Sequence, residues 1–193
     1  MTVTNTTFAT GSNDASVGAV AWNNPSRAAG TNTTDFANVT LNNQQSNYLL
    51  VTDTATKIPA SDTVTEIQIT VTYRNQADIV DVEARLYVGG VFQADNQAAS
   101  SMVSGATTTI TYTFSGLSLS GTDANDAAFG FGLSLNQPTT VNRASRIYHI
   151  EASVTHAAGG TGVTGTGSIT LDDASIAASG SSSITGTGSI TLD

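Results

Sequence analysis

Val64-Thr65-Glu66-Ile67-Gln68-Ile69-Thr70-Val71-Thr72-Tyr73-Arg74 decides the fold. Ile67, Ile69, Val71 and Tyr73 fall on one side of a period of two, and Glu66, Gln68, Thr70, Thr72 and Arg74 on the other. That is the pattern of a strand with one buried and one wet face. The next stretch repeats it, with Val80, Val82, Ala84, Leu86 and Val88 expected to point inward and Asp81, Glu83, Arg85 and Tyr87 outward. Asn75-Gln76-Ala77-Asp78 between them suits a hairpin connection, and Gly89-Gly90 supplies the positive φ angles of a tight turn into Val91-Phe92.

Working outward, Ile110, Tyr112 and Phe114 alternate with threonines, and Phe129, Phe131, Leu133 and Leu135 alternate with Gly130, Gly132 and Ser134. Tyr148, Ile150, Ala152 and Val154 are expected inward, with Ile147, His149, Glu151 and Ser153 outward. Val39–Leu41 and Tyr48–Val51 are shorter candidates. At least seven strands separated by Gly, Asn, Asp and Ser clusters predict an all-β fold, an antiparallel, jelly-roll-like β-sandwich. Glycines alternating within the Phe129–Leu133 strand predict close backbone approach by a neighbouring element.

Composition agrees. Thr, Ser and Asn number 32, 21 and 14 of 193 residues, while charged residues make up 11%. β-Branched Thr suits a pleated surface and loses rotamer freedom in a helix, so a helical bundle is excluded. A formal charge of −9 with a single Lys argues against a nucleic-acid partner. No apolar run approaches the roughly 18 residues that span a bilayer, so membrane insertion is not expected. With no Cys there is no disulfide framework and no thiol chemistry. The N-terminal Met1–Asn5 lacks the basic start and apolar stretch of a secretory signal, which predicts synthesis in a host cytoplasm.

At Ala157 the composition changes. Beyond it Gly, Ser and Thr dominate, and Thr164-Gly-Thr-Gly-Ser-Ile-Thr-Leu-Asp172 recurs unchanged as Thr185–Asp193, 21 residues on. The expected division is therefore a sandwich domain over 1–157 and a β-repeat tail over 158–193. Within the tail, Ile169, Leu171 and Ile176, then Ile184, Ile190 and Leu192, form an apolar stripe that one small hairpin cannot bury alone. The second unit breaks off at Asp193 after its first strand, so either a partner chain or further sequence pairs that edge.

Candidate chemistry is sparse. His149 and His156 are seven positions apart in one strand, an odd offset that puts them on opposite faces and prevents joint metal binding. Asp123-Ala124-Asn125-Asp126 offers oxygen ligands but lacks the glycine and distal Glu of an EF-hand, and turn chemistry explains it equally well. Asp172-Asp173 is a weaker version. Asp81 and Glu83, with Asp78 nearby, are expected to share a strand face with carboxylates roughly 6–7 Å apart, between the retaining and inverting separations of glycosidases. Arg85 on the same face makes an ordinary solvated strand the preferred reading. Trp22 in Ala21-Trp22-Asn23-Asn24-Pro25 is either a sugar-stacking platform or, by preference, a loop anchor on the core. No catalytic residue, cofactor or metal is expected, and the chain reads as a non-enzyme.

Ala21–Pro25, Asn47–Val51, Ile58-Pro59, Val64–Val71 and Ala144–Val154, in that order, resemble a β-sandwich module of bacteriophage and prophage structural proteins. The Gly-Thr-Gly-Ser-Ile-Thr-Leu units resemble short repeats of phage-encoded proteins. Where that family usually has a Trp-containing loop, this chain has Gly121–Asp126 without aromatics. The resemblance implies a virion component in contact with other virion proteins. The small size, with no long shaft and no separate tip domain, favours a capsid decoration or head fibre. Tail edges closed by cyclic symmetry, as in phage appendages of this kind, predict a homotrimer. The alternative is a tail-fibre adhesin or carbohydrate-binding module contacting host glycans.

Overall fold

In the computed structural model, residues 1–30, 34–100 and 102–159 are described. The tail repeat, with Ile169, Leu171, Ile176, Ile184, Ile190, Leu192 and Asp172-Asp173, lies outside the described residues. Ten strands are formed: β1 (Thr2–Asp14), β2 (Ala37–Leu41), β3 (Gln44–Gln45), β4 (Tyr48–Thr54), β5 (Thr63–Asn75), β6 (Val80–Val88), β7 (Val91–Phe92), β8 (Thr108–Ser120), β9 (Gly130–Gln137) and β10 (Arg143–Ala157). A 3-10 turn at Pro25–Ala28 and one short helix, α1 (Gly121–Asn125), complete the described elements.

The fold is all-β, an antiparallel β-sandwich. One sheet runs β8-β5-β10, with β2 and the first half of β1 both pairing along the far side of β10. The other runs β7-β6-β9-β4 and ends on the second half of β1. β1 thus belongs to both sheets: Thr2–Thr7 pair with β10, and Phe8–Asp14 pair with β4. The inner faces meet in one core that includes Phe8, Val51, Ile67, Ile69, Tyr73, Leu86, Phe129, Phe131, Leu133 and Ile150. Burying a side chain of this size contributes about 1.5–3 kcal/mol, and this is the term that holds the two layers together.

Three expectations are corrected by the register. Asn75–Asp78 is not a hairpin, because β5 pairs with β8 and β10 while β6 pairs with β9 and β7. It carries the chain from one sheet to the other, with Asp78 at φ 67°. A register shift in β6 between Asp81 and Glu83 places one extra residue in the strand, so Ile79 and Asp81 are inward with Ala84 and Leu86, and Val80 and Val82 are not core positions. A second shift, in β10 between Ile147 and His149, makes Ile147 fully buried and turns Tyr148 away from the core. A bulge inverts the inside–outside phase, and a simple period of two cannot register it.

β1 had no counterpart among the expected strands. Its sequence is Thr-, Asn- and Ser-rich, and only Thr6 and Phe8 are buried. Its pairing is held by the two neighbours it bridges rather than by an apolar face of its own.

Candidate functional site

The outward face of the β7-β6-β9-β4 sheet carries an aromatic cluster. Gly89 and Gly90, at φ 57° and 86°, form the two-residue turn that folds β7 back on β6 and sets Phe92 opposite Tyr87. The Phe92 ring stacks on Tyr48 with centroids 4.0 Å apart and planes 25° apart, and lies 4.9 Å from Tyr87. Gly132 of β9 makes this possible: a Cβ there would stand 2.4 Å from Phe92 Cε1 and 2.9 Å from Tyr48 Cδ1. The predicted close backbone approach is met at Gly130, where a Cβ would stand 1.9 Å from Val51 O, whereas the space over Gly132 is taken by two side-chain rings. Tyr48 is covered, whereas Tyr87 and Phe92 are half-buried.

Polar groups border the rings. The Tyr48 hydroxyl donates to Glu83 Oε2 at 3.3 Å, and Arg85 Nε donates to the same oxygen. Arg85 Nη1 also donates to the carbonyls of Gln93, at 3.1 Å, and Ala94, clamping the segment that follows Phe92. Burial first, and then the Glu83 carboxylate, push the Tyr48 phenol up to about 12. The result is an apolar ring surface with hydrogen-bonding groups at its margin, the combination that takes an amphipathic ligand such as a sugar ring.

The residues singled out from sequence are placed as follows. Trp22 is 3% exposed, its indole N–H donates to Asn47 O at 3.0 Å, and its backbone is gripped by the Asn13 side chain through Asn13 Oδ1 and Nδ2 at 2.7 and 2.9 Å. The ring is an anchor of its loop on the core and offers no open face. Asp81 and Glu83, expected on one face, are on opposite faces because of the β6 bulge. Asp81 is fully buried and accepts from Ala99 N at 2.9 Å; burial first, and then the Asp81 charge, push the pKa of the Tyr112 phenol above the usual range. Glu83 is outside with Arg85. No glycosidase-like pair is assembled from these two.

The Asp123–Asp126 oxygens are turned onto backbone. Asp123 accepts from Ser120 N and Oγ at 3.0 and 2.7 Å while Ser120 Oγ accepts from Asp123 N, closing a capping box at the start of α1. These bonds hold the Asp123 carboxyl below its ordinary range. The Asn125 amide is matched to both backbone groups of Ile58, and Asp126 accepts from Ala128 N. Among the described residues no group of three or more His, Cys, Asp or Glu is arranged to hold a metal ion.

His149 and His156 are on opposite faces of β10, as their spacing predicted. His149 Nε2 lies 3.5 Å from the exposed Glu151 carboxylate. His156 is inside, its Nδ1 2.6 Å from Asp62 Oδ2 and its Nε2 3.0 Å from Thr4 Oγ1. Hydroxyl, imidazole and carboxylate stand here in the order of an acyl-transfer triad. The ring is only 4% exposed, however, and none of the three residues lines the cavity at 74–77, 104–105, 143–144 and 146 or the one at 5, 70 and 151–153. The trio is a structural tie between β1, β10 and the segment before β5.

Sequence reading placed Tyr87 outward but did not find the cluster. Tyr48, Tyr87 and Phe92 come from three strands, and the only signal pointing to their meeting is the glycine at 132.

No family model and no curated protein matches the chain. Among solved structures, the CBM22-1 xylan-binding domain from Paenibacillus barcinonensis Xyn10C is similar, with a TM-score of 0.42 and 14% identity, covering 80% of this chain and 95% of that one. A likeness of that size transfers neither a ligand nor a residue role to this chain.

Proposed function

We propose that the chain is a non-catalytic surface protein of a phage particle whose sandwich contacts a glycan through the half-buried Tyr87 and Phe92 rings, a platform seated on the covered Tyr48. The observation that carries the glycan contact is the Phe92 ring held flat on Tyr48 over Gly132, beside the Glu83–Arg85 pair. Seating the rings over a glycine leaves aromatic surface on the outside of the sheet, where an amphipathic ligand can stack. The absence of reaction chemistry in this reading is supported by the separation of Asp81 from Glu83 and the burial of His156.

A place on a phage particle, shell or tail, is supported by the sequence resemblance, and assembly by the 21-residue identical repeat. In this second part of the reading, three chains pair their tail strands and bury Ile169, Leu171 and Ile176 together. Sedimentation should give a trimer for the whole chain, and Ile169→Asp with Leu171→Asp should give monomers. A wild-type monomer removes the assembly role without touching the glycan reading.

The test of the glycan contact is an array of bacterial surface glycans probed with the whole protein and with Phe92→Ala. Binding that disappears in a variant of unchanged melting temperature is the expected result. Binding that persists in Phe92→Ala overturns the platform, and an array with no binding overturns the glycan. Copy number in purified particles then separates a shell position from a tail position.

A further inference from the structure

On the other sheet, a cavity of about 490 Å³ is lined by Arg74, Arg143 and Arg146 together with Asn75, Gln76 and Gly105 among others. The chain has six cationic side chains against fifteen acidic ones, so half of all its positive charge is gathered around one concavity. Arg74 and Arg146 are direct cross-strand partners of β5 and β10, both exposed. Like charges placed directly opposite in an antiparallel pair destabilise the sheet. Among the described residues neither has an acidic partner within salt-bridge distance.

Each guanidinium is nevertheless positioned. Arg74 Nε donates to Gly105 O at 3.2 Å, and the Arg146 guanidinium carbon lies 4.7 Å above the Phe36 ring, a cation–π contact. Arg143 reaches Asp78 at 3.8 Å, while its Nε–H is shielded from solvent and has no hydrogen-bond partner. Three oriented guanidinium groups, two without a counter-charge and one with an unsatisfied donor, are a site waiting for oxyanions.

The volume speaks against a bare ion, since it falls within the roughly 300–1,000 Å³ of small-molecule sites. Apolar surface lies beside the cavity rather than in its lining: Phe36, beneath the Arg146 guanidinium, meets Tyr148 edge to face at 5.5 Å. We propose that this cavity binds an acidic sugar unit, with its carboxylate on the arginines and its hydroxyls toward the polar lining at Gln76 and Ser104. The site lies on β5 and β10, on the sheet opposite Phe92, and does not depend on the platform reading.

The experiment titrates the whole protein at low salt with D-glucuronate and N-acetylneuraminate, with D-glucose and inorganic phosphate as controls, followed by calorimetry and by the melting temperature. At least one acid should bind, glucose should not, and phosphate should bind more weakly than the acid. Arg74→Gln and Arg146→Gln should each weaken the acid by about tenfold, and raised salt should weaken it further. Phosphate equal to the acids reduces the site to an oxyanion hole without sugar recognition and overturns the proposal. So do binding of glucose as tight as that of the acids, no binding of either acid, or acid affinity unchanged in both variants.

Discussion

His156 Nδ1 lies 2.6 Å from Asp62 Oδ2 inside the sandwich, 94 residues apart in sequence. A carboxylate oxygen at that distance accepts the Nδ1 proton, and the other ring nitrogen pairs with the Thr4 hydroxyl. One imidazole thereby joins the start of β1, the end of β10 and the segment entering β5. Asp62→Ala leaves a buried ring nitrogen without its partner and should cost about 1–3 kcal/mol of stability. Asp62→Asn keeps an acceptor and should cost less. Denaturant unfolding of the two variants checks the order.

Gly132 is expected to be the most sensitive glycine of β9 for function. Gly132→Ala puts a methyl group against Phe92 and Tyr48, and either ring must move. Overpacking of this kind costs about 1–3 kcal/mol, less if Phe92 swings outward on the short β7. Glycan binding should fall in either case. A variant that melts as wild type and binds as wild type shows that the rings do not need the gap.

Tyr48 gives the protein an alkaline limit. Its phenol is raised from 10.0 to about 12 in the folded chain. Below pH 10 both folded and unfolded forms are protonated and the stabilisation is fully present. As pH rises through that range toward about 12, the unfolded chain ionises while the folded one does not, and the stabilisation is lost. The melting temperature of wild type should therefore fall more steeply over this window than that of Tyr48→Phe. Parallel curves contradict the burial and the Glu83 contact as the causes.

A chain ending after Ala157 should fold cooperatively, because the described core and the β10–β5 ladder are complete by then. Soluble but unfolded material after truncation places part of the folding information in the tail.

The strand content was legible where apolar residues alternate over a whole strand, as in β5 and β8. It was lost where a bulge inverts the phase: Asp81 read as exposed and is buried, and Ile147 read as outward and is fully buried. β1 was not legible because its place is fixed by backbone pairing with β10 and β4, and its side chains show no apolar period. The candidate sites lay beyond the sequence for a different reason. Tyr48 and Phe92 are 44 positions apart, Arg74 and Arg146 are 72 apart, and only sheet register brings each pair together. Trp22, the aromatic most conspicuous in the sequence, is anchored in the core.

The most direct measurement of the central claim is a backbone NMR titration of the protein with the tightest glycan from the array. Shifts concentrated at Tyr48, Tyr87, Phe92 and Gly132, and absent in Phe92→Ala, are the expected result. Shifts that leave these four residues unmoved while the glycan binds elsewhere contradict the platform as the contact surface.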